Sequence, residues 1–88
     1  MHAVVVKVTI TDMDAAEKSL SEDVVPGISQ APGFVAGYWT RKGDTGLSMI
    51  VTESEEAANA IKDRVASFVP ADAVTLEDVE VREVVAHA

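Results

Sequence analysis

The sequence predicts one α+β domain, with the element order β-α-β-β-α-β over residues 1–88. Four short runs are rich in β-branched and aromatic residues, which is typical of strands. Two segments between these runs repeat apolar residues at helical spacing, and only a glycine-containing turn separates the second run from the third. A chain of 88 residues has room for a single hydrophobic core.

The first half of the chain predicts a strand followed by a helix. The run AVVVKVTI, Ala3–Ile10, is β-branched and of strand length. Asp14, with Glu17 three residues later, resembles a capping box and predicts the start of the helix. The apolar stripe of that helix recurs at every fourth residue: Ala16, Leu20, Val24 and Ile28. Pro26 lacks an N–H, so we expect a kink or a fresh helical turn there.

A hairpin follows. The segment Ala31-Pro32-Gly33 ends the helix, and Phe34–Arg41 (FVAGYWTR) forms the second predicted strand. The residues Lys42-Gly43-Asp44-Thr45-Gly46 supply the chemistry of a turn. Leu47–Thr52 (LSMIVT) forms the third strand.

The last part of the chain predicts a second helix and a fourth strand. Ser54 is a good N-cap, and the buried stripe of the helix is Ala57, Ile61, Val65 and Phe68. Pro70 and Asp72 mark a loop. The fourth strand is Leu76–Ala86, in which Val79 and Val81 face one way and Glu80 and Arg82 the other.

Two β-α-β halves joined by a hairpin predict the ferredoxin-like arrangement, an antiparallel sheet of strand order 4-1-3-2 with both helices on one face. The central strands do not alternate apolar with polar residues, because Val4–Val6 and Met49–Val51 are apolar at successive positions. The uncovered face then carries an apolar patch, which usually marks an interface. We therefore expect a homodimer, since twofold pairing is the commonest way to cover such a patch.

The composition argues against several kinds of partner. Without cysteine the chain has no disulfides, thiolate zinc sites or cysteine nucleophiles, which fits a reducing cytoplasm. The net charge of −8 argues against nucleic acid and anionic membranes, because both attract basic surfaces. No apolar run approaches the ~20 residues of a membrane span, and the N-terminus lacks the features of a signal peptide. We expect a cytoplasmic protein with neither metal nor cofactor, since no metal-ligand spacing or phosphate-binding glycine loop is found.

Several segments resemble a known group of proteins. They are Val25-Pro26-Gly27, Ala31–Trp39 (APGFVAGYW), Gly46-Leu47-Ser48 and Thr52–Ala57 (TESEEA). In these the chain resembles the dimeric α+β barrel superfamily, and in particular its small members related to antibiotic-biosynthesis monooxygenases. The resemblance implies a barrel of two face-packed sheets, with a small-molecule cleft between sheet and helices in each subunit.

The chemistry of the resembled family is diverse, and no complete catalytic set maps onto this sequence. Haem-degrading relatives use an Asn in the first strand and a Trp and a His around the second helix, and these are absent here. The resemblance implies a cofactor-independent monooxygenase or related enzyme acting on a small aromatic substrate. The alternative is a non-catalytic dimeric module that binds a small molecule or only assembles.

Four residues are candidates for substrate binding: Lys7, Tyr38, Trp39 and Arg41. Tyr38 and Trp39 point to opposite faces of their strand, so at most one of them faces a given cleft. An aromatic ring there can stack on a flat substrate, and Arg41, on the face of Trp39, can hold an anion or an enolate. The alternative is that both rings fill the core and the dimer interface and that Arg41 is a solvated hairpin residue.

Lys7 is the charged residue of the first strand, and burial there would lower its pKa and make it a base or a nucleophile. Its alternative is a structural role at the barrel rim, or in a pair with Glu80 or Glu83. His2 and His87 can meet if the first and fourth strands pair, but two imidazoles do not make a metal site.

Overall fold

Strands and helices follow one another in the predicted order. The computed structural model describes residues 1–69 and 71–88. The strands in this part of the chain are β1 (His2–Ile10), β2 (Phe34–Lys42), β3 (Thr45–Thr52) and β4 (Val74–Glu83). Its helices are α1 (Met13–Ser19), α2 (Val25–Ser29) and α3 (Glu55–Phe68), and a π-helical turn, Leu20–Val24, joins α1 to α2. Pro70 is outside the described residues, and Asp72 lies in a turn before β4.

The four strands form one antiparallel sheet in the order β2-β3-β1-β4, which confirms the predicted order. The most apolar strands, β1 and β3, are therefore central, and β2 and β4 are the edges. The pairing of β1 with β4 shifts between Lys7 and Val8, and that of β2 with β3 shifts between Phe34 and Ala36. These irregularities are β-bulges, which bend a strand and increase its twist.

Each strand differs from its prediction at one end or both, because pairing extends or limits the strands. β2 and β3 continue to a turn of two residues, Gly43 and Asp44, where Gly43 has a φ of 62° that favours glycine. β4 occupies Val74–Glu83 instead of Leu76–Ala86. Its limits are set by β1, whose last and first residues pair with the two ends of β4.

The predicted N-cap of the first helix is wrong. The N-cap is Asp12, whose backbone is extended. Its Oδ1 accepts a hydrogen bond from the Ala15 N–H at 3.1 Å. Asp14 lies inside the first turn, where its negative charge complements the helix dipole without capping it. The helix therefore begins two residues earlier than predicted, and Asp12 caps it without a capping box, because the third helical residue is Ala15.

Pro26 begins a fresh helical turn, as predicted. It lies in the first turn of α2, where a missing N–H costs nothing because the first N–H groups of a helix have no partner within the helix. The π-helical turn Leu20–Val24 widens the helix just before it. α1, the π-helical turn and α2 thus form one irregular helical path over residues 13–29.

The core lies between the sheet and the helices. Its large buried apolar side chains come from both layers: Val4, Val6, Ile50, Ile28, Ile61 and Val65. Ser54 caps α3 as predicted, with its Oγ accepting the Ala57 N–H at 3.1 Å. The buried stripe of α3 is partly corrected, because Ala58 is fully buried whereas Ala57 and Phe68 are only half-buried. No helix in the described residues is long and apolar enough to span a membrane.

The opposite face of the sheet has no helix on it and is apolar at its centre, as predicted. We call this surface the open-face patch; it consists of Val5, Tyr38, Leu47, Met49 and Val51. Tyr38 lies opposite Met49, which lies opposite Val5, so these three side chains form a row across β2, β3 and β1. Tyr38 is 63% exposed, Leu47 48% and Met49 45%.

The corrected N-cap can be tested by comparing two aspartates. Asp12→Ala should lower the free energy of unfolding by about 1 kcal/mol, because it leaves a helix N–H without its acceptor. Asp14→Ala should cost only about 0.3 kcal/mol, the loss of a favourable charge at the helix start. Urea denaturation at one fixed protein concentration measures both. A larger loss for Asp14→Ala would restore the capping box at Asp14.

Candidate functional site

A cavity of about 280 Å³ lies between the sheet and the irregular helical path. Its floor is formed by the helix-facing side of β1, β2 and β3, namely Val6, Val8, Trp39, Gly46, Ser48 and Ile50. Its roof is the apolar stripe predicted for the first helix, Ala16, Leu20, Val24 and Ile28. The stripe that was predicted only to pack on the core therefore also encloses a void.

The void exists because the floor carries small side chains. Gly46 and Ser48 occupy successive inward positions of β3, opposite Arg41 and Trp39 of β2. Neither side chain reaches the helical roof, so the larger residues around them leave space. The lining is chiefly aliphatic and aromatic, as is usual for small-molecule sites.

Trp39 forms one wall of the cavity. Its ring leans back along β2 over Gly37: a Cβ at Gly37 would lie 2.6 Å from the Cη2 atom of Trp39. The indole therefore rests directly on Gly37, because any larger residue at this position would displace the ring. The ring is half-buried, and it both packs against the core and lines the cavity.

Arg41 lies on the same side of β2, at the solvent-exposed side of the cavity that we call the mouth. Its Nη1 donates to the Met13 Sδ at 2.6 Å and lies 4.0 Å from the Glu17 Oε1. The side chains of Arg41 and Glu17 are 48% and 64% exposed, respectively. A pair this exposed contributes little to stability.

Tyr38 and Lys7, the other two candidates, lie on the open face and do not line this cavity. Lys7 is exposed, and the residue opposite it on β4 is Asp78 rather than Glu80 or Glu83. Of the four candidates, the structure therefore brings Trp39 and Arg41 to one cavity and separates them from Tyr38 and Lys7.

The two histidines take different positions. His2 is the first residue of β1, and its Nε2 lies 3.7 Å from the Glu55 Oε2 at the start of α3. His87 lies beyond β4 and is exposed. Within residues 1–69 and 71–88, no group of three potential ligands is arranged to hold a metal ion.

Sequence reasoning missed three residues of the site. Met13 and Glu17 come from α1, and Ser48 lies on the floor. Glu17 directly follows Ala16 of the apolar stripe, which places it at the edge of the roof, but its pairing with β2 has no sequence signal. Ser48 stands among apolar residues of the third strand, and a small polar residue there was the available signal for a void.

The arrangement can hold a flat, mainly apolar molecule against an indole ring, with a guanidinium and a carboxylate at the mouth. Among the described lining residues, Glu17 and Arg41 are the charged ones, and Ser48 adds a hydroxyl group. No carboxylate or imidazole of the described chain lines the interior away from the mouth. Acid–base chemistry by the protein is therefore confined to the mouth.

Neither a protein-family model nor a curated protein matches the sequence. Solved structures do match. HapK from Hahella chejuensis superposes with a TM-score of 0.76 at 14% identity, covering 100% of this chain and 96% of that one. SnoaB, a cofactor-independent oxygenase from Streptomyces nogalater, gives 0.73 at 19% identity, with coverages of 98% and 94%. A dimeric ferredoxin-like protein from an uncultured marine organism gives 0.64 at 15% identity, with coverages of 100% and 98%.

The chain has the ferredoxin-like fold of the dimeric α+β barrel proteins. Both chains are covered almost completely in each of these comparisons, so the likeness includes every strand and helix rather than one motif. The ferredoxin-like fold expected from the sequence is thereby confirmed. At such identities a likeness of structure shows the fold alone, and the function of this ferredoxin-like chain has to be argued from its site.

The contact between Gly37 and the Trp39 ring can be tested with a double-mutant cycle. Gly37→Ala should cost about 1–3 kcal/mol, because the added methyl group overlaps the benzene part of the Trp39 ring. In a Trp39→Phe background that part of the ring is gone, so the same substitution should cost much less. Urea denaturation of the four proteins gives the coupling. An equal cost in both backgrounds would show that the ring does not rest on Gly37.

Proposed function

We propose that residues 1–88 form one subunit of a homodimeric α+β barrel, and that each subunit binds a small planar aromatic molecule and oxidises it without a cofactor. The observation that carries the proposal is the apolar cavity of about 280 Å³ with the Trp39 ring in its wall. Pairing of subunits and binding of a ligand rest on different surfaces and are supported by different observations.

Dimer formation is supported by the open-face patch. Three large side chains, Tyr38, Leu47 and Met49, are about half exposed or more in a single chain, although they adjoin one another. Contiguous apolar surface of this kind usually marks an interface. Charged side chains of this face lie beside the apolar centre: Arg82 and Glu80 on β4 form an ion pair of 2.6 Å, and Lys7 lies opposite Leu47 toward the hairpin end of β1. An apolar centre with a charged rim is the usual composition of a subunit interface. The likeness to a dimeric ferredoxin-like protein agrees with this.

Ligand binding is supported by the size and lining of the cavity. Small-molecule sites usually enclose about 300–1,000 Å³, so a cavity near the lower limit fits a compact molecule of two or three rings. Trp39 offers the face of an aromatic ring, and the roof offers aliphatic side chains. Burial of a flat apolar ligand between these surfaces releases water and gains dispersion contacts.

The proposed reaction requires little from the protein. An aromatic substrate with an activated methylene group loses a proton and gives a carbanion that reduces O₂ by itself: R₂CH₂ + O₂ → R₂C=O + H₂O. One oxygen atom enters the product and the other leaves as water, while all four electrons come from the substrate. The likeness to a cofactor-independent oxygenase and the absence of interior acid–base residues among the described lining agree with such chemistry.

The alternative is a dimeric module that binds the same class of molecule without changing it. The same observation favours it, because a site with acid–base groups only at its mouth is also sufficient for binding alone. Oxygen uptake separates the two functions. Anthrone, a tricyclic ketone with one activated methylene group, should be oxidised faster than its background rate by an oxygenase and bound without turnover by a carrier.

The dimer is tested by a charge at the centre of the open-face patch. Sedimentation equilibrium at micromolar concentration should give twice the 9.3 kDa chain mass. Met49→Glu should give a folded monomer or a partly unfolded chain, because an interface does not bury an unpaired carboxylate without a large penalty. Ala66→Glu, which adds the same charge at an exposed site of α3, should leave the dimer intact. A native protein that sediments as a monomer contradicts the proposal.

The ligand site is tested by filling the cavity from its floor. Ser48→Leu should keep the fold and abolish the saturable quenching of Trp39 emission by a flat phenol such as naphthol, because the larger side chain occupies the ligand volume. Ser48→Ala, which leaves the space open, should bind as the native protein does. If the native protein is an oxygenase, anthrone-dependent oxygen uptake should disappear with Ser48→Leu alone. Unchanged quenching in both variants would place the binding elsewhere.

A further inference from the structure

Arg41 is only loosely engaged by the protein. A guanidinium carries five N–H donors, yet its described partners are the Met13 thioether and the Glu17 carboxylate. Thioether sulfur is a weak acceptor, and the 4.0 Å from Nη1 to the Glu17 oxygen is too long for a hydrogen bond. Most of the donor capacity of Arg41 therefore remains available to a group that enters the mouth.

The same residue stands at the end of an otherwise apolar site. Trp39 lies two residues before Arg41, and side chains two apart on a strand share one face. A ligand lying against the indole and extending toward the mouth therefore reaches the guanidinium. Carboxylates and similar oxyanions fit that group best, because they accept two parallel N–H bonds.

We infer that the ligand of the cavity is an amphipathic anion, with a planar apolar body against Trp39 and an acidic group that replaces Glu17 on Arg41. This inference rests on the proposed ligand site and names the class of molecule that the site selects. The Glu17 carboxylate lies beside the Arg41 guanidinium at the mouth, at 4.0 Å, and partly offsets its charge. Its side chain is 64% exposed, so it moves into water at little cost when an anion arrives.

Selection for an anion runs against the charge of the protein as a whole. The chain carries a formal net charge of −8, which repels anions at long range. Any preference for a charged ligand over a neutral one of the same shape must therefore come from the mouth. That makes the contribution of Arg41 measurable.

The test uses two fluorescent probes of nearly the same shape. Anilinonaphthalene sulfonate carries an anionic group, and phenylnaphthylamine is its neutral counterpart. Both are titrated into the native chain and into its Arg41→Gln and Lys42→Gln variants, which remove the same charge at adjacent positions. Arg41→Gln should weaken binding of the sulfonate by about tenfold, the loss of a charge-assisted contact, and change binding of the neutral probe by less than about twofold. Lys42, which lies on the other face of β2 and is exposed, should have little effect on either probe.

A second pair of variants tests the competition by Glu17. Glu17→Gln should tighten binding of the sulfonate severalfold and leave the neutral probe unchanged, because a carboxylate beside the guanidinium then no longer repels the anion. Glu22→Gln, which changes the net charge equally at an exposed position outside the cavity, is its control. Added salt should weaken binding of the sulfonate and spare the neutral probe.

The possible results separate this inference from the proposed function. If Ser48→Leu removes both probes, both bind in the cavity, as the proposed function requires. If neither probe binds the native protein, or if both still bind to Ser48→Leu, the ligand site itself is overturned. If both bind in the cavity but the ratio of their affinities is the same in the native protein and in Arg41→Gln, the site stands and its selection of anions is wrong.

Discussion

The structure depends on a central strand that is apolar on both of its faces. Val4 and Val6 of β1 are buried against the helices, while Val5 between them points to the other side of the sheet. A layer of helices covers only one face of a sheet, so this strand cannot remove all its apolar surface from water within one chain. The edge strand β4 differs, since its outward positions are charged and tolerate water. The strand order agrees with this contrast: β1 and β3, which are apolar on both faces, lie inside the sheet, and the more polar β4 lies at its edge.

The helical layer covers the sheet unevenly. α3 is regular and packs closely on the core through Ala58, Ile61 and Val65. The other helical path is divided by the π-helical turn ahead of Pro26, and its end approaches α3 so closely that a Cβ at Gly27 would overlap the ring of Phe68. The helical path is thus close to α3 at this end and stands above small floor residues elsewhere. Close packing at one end and small residues at the other together produce a cavity.

Much of the fold could be predicted because its signals are local or nearly so. The alternation of Val79 and Val81 with Glu80 and Arg82, and the cap at Ser54, depend on neighbours in the sequence. The opposite orientations of Tyr38 and Trp39 follow from the geometry of any strand. Asp12 was missed because Asp12 and Asp14 are both good caps, and only the place where the backbone leaves β1 decides between them.

The site was less predictable, because its parts meet only in three dimensions. Arg41 and Glu17 are 24 positions apart, and their approach depends on how the helical path crosses the sheet. Trp39 could be assigned to a face, but that face could not be shown to border a void. The size of a void depends on the side-chain volumes of both the sheet and the helices. The pattern of a single strand does not reveal it. A charge within an apolar strand suggests burial, whereas in the single chain Lys7 lies exposed on the open face.

The cost of the cavity is an argument that it has a use. Closed apolar voids cost about 24 cal/mol per Å³ in substitution experiments, so 280 Å³ would cost about 7 kcal/mol if it were sealed and dry. That is comparable to the roughly 4–13 kcal/mol expected for the total stability of an 88-residue domain.

The mouth at Arg41 and Glu17 lowers the cost by admitting water, but water gains few hydrogen bonds from so apolar a lining. A larger side chain at Ser48 would fill part of the void and cover the floor. Places where a sequence departs from close packing, without a structural benefit, are where functional sites are expected. The small residues of β3 and the ring of Trp39 are therefore best understood together, as the floor and wall of a space kept for a ligand.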